Sequence, residues 1–137
     1  MQAATVPEHR VRSTLVIFDK PVSFLATAKS ADSRYFYEKV LRLRCLSDDP
    51  FALVFELGGT TLRIQKVESV PEVNYTVLGW EVRDIRQRVE ELSGNGVHFE
   101  KFPQLPQDKL GVWCAPGGAL VAWFKDPDGN TLSLTEL

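Results

Sequence analysis

Arg63, Phe24, Trp113 and Trp123 are the side chains in this sequence best suited to hold a small molecule. A guanidinium pairs bidentately with a carboxylate or another anion. Three large aromatic rings can form a wall that stacks on a planar ligand. Ser133 and Thr131 could add orienting hydroxyls. Each residue has a plainer alternative: a surface ion pair for Arg63, core or dimer packing for the aromatics, a wetted polar strand face for the hydroxyls. Catalysis by a side-chain nucleophile finds no support. No Ser-His-Asp or Cys-His arrangement can be built on the spacing. The two histidines, His9 and His98, are far apart, and each reads as a structural or exposed residue. Cys45 and Cys114 form no Cys-x-x-Cys pair and read as reduced, buried thiols. Gly58-Gly59 and Gly117-Gly118 are hairpin glycines, and no glycine-rich phosphate loop is present.

The bulk properties bound the partners. The chain has 137 residues, 44% apolar and 25% charged, which suits one folded domain. A net charge of −2 argues against nucleic acid. No apolar run approaches the roughly 20 residues that span a bilayer. Residues 1–12 lack the apolar stretch of a secretory signal, so a cytoplasmic protein is expected.

Elements must position these residues. Residues 1–20 read as a leader, with a β-prone run at 14–18 that could form an extra edge strand. Residues 22–28 read as a strand. A helix follows over 31–41, with Phe36, Val40 and Leu43 at i, i+4 and i+7 beside Tyr37 and Leu41. Ser30 is its candidate cap. Strands at 51–57 and 60–67 flank Gly58-Gly59, and residues 68–74 link to a second half. There the order recurs: strand 75–82, then a helix opened by a capping box of Asp84 and Gln87 and closed at Gly94-Asn95-Gly96. Strands at 97–102, 112–115, 119–125 and 131–136 complete it. Residues 104–109 read as a mobile lid. Asp126-Pro127-Asp128-Gly129-Asn130 is a turn signal between the last two strands.

Three stretches carry a resemblance: 36–41 (FYEKVL), 78–84 (LGWEVRD) and the closing DPDGN. In this order and spacing they resemble the vicinal oxygen chelate superfamily of glyoxalase, bleomycin-resistance and extradiol dioxygenase proteins. One departure is Arg42, where that family has glycine. The resemblance implies an α+β fold: two βαβββ modules, 21–69 and 70–137, whose curled mixed sheets surround a cleft. It also implies where metal ligands would stand in the enzymes: at Val22, Arg63, Val77 and Ser133. Valine cannot ligate, and Arg63 would repel a divalent cation. Strand alternation places Phe24, Arg63, Val77, Glu81, Trp123 and Ser133 on the cleft and Trp80 in the core. Glu81 is a single carboxylate, and Glu136 reads as solvated. The expected function is a glyoxalase- and bleomycin-resistance-like protein. It binds a small aromatic or anionic molecule in an apolar cleft, with no metal and no cofactor, as a homodimer. The alternative is a metal-dependent lyase, isomerase or dioxygenase with non-standard ligands.

Overall fold

Alternating apolar residues and one helical stripe in each half build the same unit twice. The computed structural model describes residues 17–137. The first half runs β1 (Ser23–Thr27), α1 (Ser30–Tyr35, continued by a π-helical turn Phe36–Val40), β2 (Cys45–Asp48), β3 (Ala52–Leu57) and β4 (Thr60–Lys66). The second runs β5 (Thr76–Glu81), α2 (Ile85–Gly94), β6 (Trp113–Cys114), β7 (Leu120–Lys125) and β8 (Thr131–Glu136). The two four-stranded sheets are ordered β1-β4-β3-β2 and β5-β8-β7-β6. In each, the first strand pairs in parallel with the last, and the other neighbours are antiparallel. This is the expected α+β fold of two βαβββ units. Among the described residues, no helix is long and apolar enough to cross a membrane.

Leu53, Phe55, Leu62 and Ile64 of the first sheet share one buried cluster with Ala122, Phe124, Leu132 and Leu134 of the second. The helix stripe joins them. Tyr37 packs on Phe55 and Phe36 on Phe124, with ring centroids 5.8 and 6.3 Å apart. Both sheets therefore turn one face to a common core, and the alternate faces point away from it.

The closing turn does more than reverse the chain. Its Asp128 accepts hydrogen bonds from the Ala28 amide at 2.8 Å and from the Thr27 and Ser33 hydroxyls, which tie it to the start of α1. Asp126 accepts from the buried Tyr37 hydroxyl at 2.7 Å, and Asn130 donates to the Ala26 carbonyl at 3.1 Å. The start of α1 is thus served by Asp128 and not by Ser30, which makes no capping bond. At α2, Asp84 has the left-handed φ of 54° and makes no side-chain cap. Glu136 replaces it: its carboxylate accepts from the Ile85 amide at 2.9 Å, so this residue is a helix cap and not a solvated end.

Burial first, and then the Asp126 carboxylate, push the Tyr37 hydroxyl well above the usual tyrosine range. Its folded pKa is raised, so its contribution to stability is full below pH 10 and lost as pH rises further. Unfolding free energy is expected to fall by about 1.4 kcal/mol per pH unit on that limb from this group. Urea melts at pH 9 to 11 would show it, and a Tyr37→Phe variant with the same alkaline slope would contradict it.

Other expectations need correction. Residues 97–102 form no strand: their backbone meets β7 through a bridge from Phe99 to Phe124 and a hydrogen bond from the Glu100 amide to the Trp123 carbonyl, too little for a ladder. The run at 14–18 lies mostly outside the described residues, and Ile17 and Phe18 are not in a strand. Strand β2 had no clear signal. Arg42 ends α1 with φ 63°, and the Leu43 amide reaches back six residues to the Tyr37 carbonyl at 2.9 Å, one residue further than in a Schellman cap because the last turn is π-helical. A side chain in this conformation costs about 1–2 kcal/mol. Arg42→Gly is expected to raise Tm by about 3 °C; an unchanged or lower Tm would show the strain to be relieved elsewhere.

Candidate functional site

The outer face of the second sheet holds the better-formed site. On β7, Ala122 and Phe124 point to the core, so Val121, Trp123 and Lys125 stand on the opposite face. Register sets Ser133 and then Gly79 beside Trp123, while Val121 lies between Trp113 and Thr135. The Trp113 and Trp123 rings are 5.9 Å apart. The edge of Phe102 meets Trp123 at 5.4 Å, and the Trp123 indole N–H donates to the Thr76 hydroxyl at 3.1 Å. Ser133 and Thr131 are buried. A Cβ at position 79 would run into the Ser133 hydroxyl and come within 3.2 Å of its carbonyl, so any other residue there would have to displace Ser133. Trp123 and Phe102 border a cavity of about 680 Å³, with Tyr75, Leu105 and Lys125 around it. Lys125 is 3.5 Å from Glu72.

The first sheet carries the other candidates. Phe24 and Arg63 are register partners on adjacent parallel strands, and Arg63 pairs on its other side with Val54. Phe24 is 55% exposed. Arg63 is half-buried and makes no ion pair among the described residues. Val22 is exposed just before β1, while Val77 sits in a β-bulge and packs against the core. The structure therefore joins Trp113, Trp123 and Ser133 on one sheet and Phe24 with Arg63 on the other. The aromatic wall is split within one chain. Phe102 and Thr76 extend its second-sheet part, and the sequence pattern did not single them out. Trp80, expected in the core, packs against it but stays partly exposed.

The four positions implied for metal ligands do not fit a divalent cation. They offer two valines, a cationic side chain and one neutral hydroxyl. Among the described residues, no three His, Cys, Asp or Glu side chains come together. His98 and Glu81 are exposed, and His9 lies outside the described residues.

The expected lid is stitched down. The Gln107 amide accepts from the Phe102 amide at 2.6 Å and donates to the Glu100 and Gly111 carbonyls at 2.9 and 2.8 Å. Asp108 accepts from the Leu110 and Val112 amides and from Arg86, each at 2.9 Å. Burial opposes the Asp108 charge, but the Val112 amide and Arg86 outweigh it and hold the carboxyl below its usual range. Gln104 and Leu105 still reach the cavity, so this loop forms a fixed wall.

No family model and no curated protein sequence matches this chain. Solved structures do. A genomically encoded fosfomycin resistance protein from Listeria monocytogenes is 15% identical over 89% of this chain and 95% of its own, with a TM-score of 0.69. An antibiotic-binding protein from a Streptomyces species is 19% identical, covers 89% and 98%, and has a TM-score of 0.65. A glyoxalase/bleomycin resistance protein/dioxygenase from Nocardioides is 17% identical, covers 93% and 90%, and has a TM-score of 0.64. At identities this low, the likeness shows the fold alone.

Proposed function

We propose, from the premise that this chain folds as the glyoxalase, bleomycin-resistance and dioxygenase proteins do, that it binds a small aromatic or anionic molecule without a metal. The observation that carries this reading is the pair of Trp123 and Phe102 bordering a cavity of about 680 Å³, a volume typical of ligand pockets, with the Trp113 ring 5.9 Å from Trp123. The rings offer stacking surface, and Arg63 offers charge to an anion, while Lys125 at the cavity is already paired with Glu72. The antibiotic-binding neighbour supports the class of function, though it does not name the ligand.

The cleft is proposed to close across a homodimer. The first-sheet pair of Phe24 and Arg63 and the second-sheet tryptophans face away from the common core, so a second copy would bring one set against the other. Sedimentation is expected to give twice 15.4 kDa. A species of 15.4 kDa alone would remove the shared cleft. Cys45 is half-buried and Cys114 exposed, against the buried thiols expected from the sequence; both are free, which fits the cytoplasmic location proposed with this reading.

Planar aromatic carboxylates, screened by tryptophan fluorescence, provide the functional test. Trp123→Ala is expected to weaken the best of them about thirtyfold, and Arg63→Gln about tenfold. Unchanged affinity in both variants would sink the reading. Metal analysis of protein purified without chelator separates it from the alternative. Stoichiometric metal that survives dialysis would favour a lyase, isomerase or dioxygenase with unorthodox ligands.

A further inference from the structure

A second cavity, of about 670 Å³, lies on the other side of the second sheet. The end of α1 contributes Leu41 and Leu43, β5 contributes Trp80 and Val82, and α2 contributes Leu92; Phe124 completes its apolar lining. Trp80 and Phe124 alternate along their strands with the residues of the outer face, so the sheet itself separates this cavity from Trp123.

Four charged residues border it: Arg42, Glu81, Arg88 and Glu91. Arg88 is the informative one. Its Nη2 donates to Glu91 at 3.1 Å, while its Nε is sheltered from solvent and has no hydrogen-bond partner. Nε and Nη2 together form the edge that receives a carboxylate through two parallel bonds. Glu91 occupies half of that edge, and its side chain is 55% exposed, so it can swing away. Arg42 makes no ion pair among the described residues.

We infer that this cavity is a second ligand site, for an amphipathic carboxylate whose apolar body lies against Trp80, Val82 and Leu92 and whose carboxylate displaces Glu91 from Arg88. The site stands apart from the proposed outer-face cleft, and the two have separate reporters. The probes are 2-naphthoate and its uncharged analogue 2-naphthamide, titrated into nitrogen-15-labelled protein and followed at the indole N–H resonances. The expected result is a saturable shift at Trp80 with 2-naphthoate. Arg88→Gln should weaken it about tenfold, Arg88→Lys should recover only part of the loss, and the response to 2-naphthamide should not change. Leu92→Phe, which fills the cavity with an apolar ring, should abolish the Trp80 shift. A response confined to Trp123 would leave the outer-face reading standing and overturn this one. So would a Trp80 shift that Arg88→Gln leaves intact, or one that follows protein concentration without any probe, which would make the cavity a self-contact.

Discussion

Alanine at position 126 is expected to remove about 4 kcal/mol of unfolding free energy in urea at pH 7. The Asp126 carboxylate accepts from the Tyr37 hydroxyl, the Asn130 side-chain amide, and the Asp128 and Asn130 backbone amides, all between 2.7 and 2.9 Å. Hydrogen bonds to a charged group contribute about 1.5–3 kcal/mol each but do not add. Alanine leaves the Tyr37 hydroxyl, which has no solvent contact, without a partner. Because a domain of this size holds about 5–15 kcal/mol in total, the loss is a large share of it. Tyr37→Phe removes only one of the four bonds and should cost about 1–2 kcal/mol. The two changes together should cost less than their sum, because they share a bond. A loss under about 1 kcal/mol for Asp126→Ala would mean that water replaces the carboxylate.

Phe124→Ala is expected to cost about 3–5 kcal/mol, the range for truncating a buried aromatic ring. Phe124 is fully buried, with the Phe36 ring 6.3 Å away and the Phe99 ring 5.3 Å away. Its two partners come from opposite halves of the chain, so its removal should weaken both halves together. Urea unfolding of the variant, followed by tryptophan fluorescence and by far-ultraviolet circular dichroism, should still give coincident curves. Separate curves would show that the sheets melt independently and that the common core couples them weakly.

The sequence was readable where the controlling contacts are local. The stripe of Phe36, Tyr37 and Val40 marks α1, and the alternation of Leu132 and Leu134 marks β8 to its end residues. Strand β2 escaped because Cys45-Leu46-Ser47-Asp48 is short, polar and irregular in register. Residues 97–102 misled for the opposite reason. Val97 and Phe99 alternate into the core as a strand would, but the backbone finds little to pair with. Asp128 and Glu136 could not be read at all: their partners lie 100 and 51 residues away, beyond any local pattern. Of the site, the aromatic and cationic residue types were visible. Their division between two sheets was not, because it depends on which faces share the core.

The grip of Asp128 on Thr27 and Ala28 also sets a schedule for biosynthesis. Thr27 and Asp128 are 101 residues apart. At about 5–20 residues per second, the ribosome makes Asp128 roughly 5–20 s after Thr27. For that interval the nascent first half carries Tyr37 and the start of α1 without the carboxylates that hold them, and its share of the common core has nothing to face. A ribosome that stalls before Asp126 would therefore leave a chain with an open apolar sheet, a substrate for chaperones and proteases.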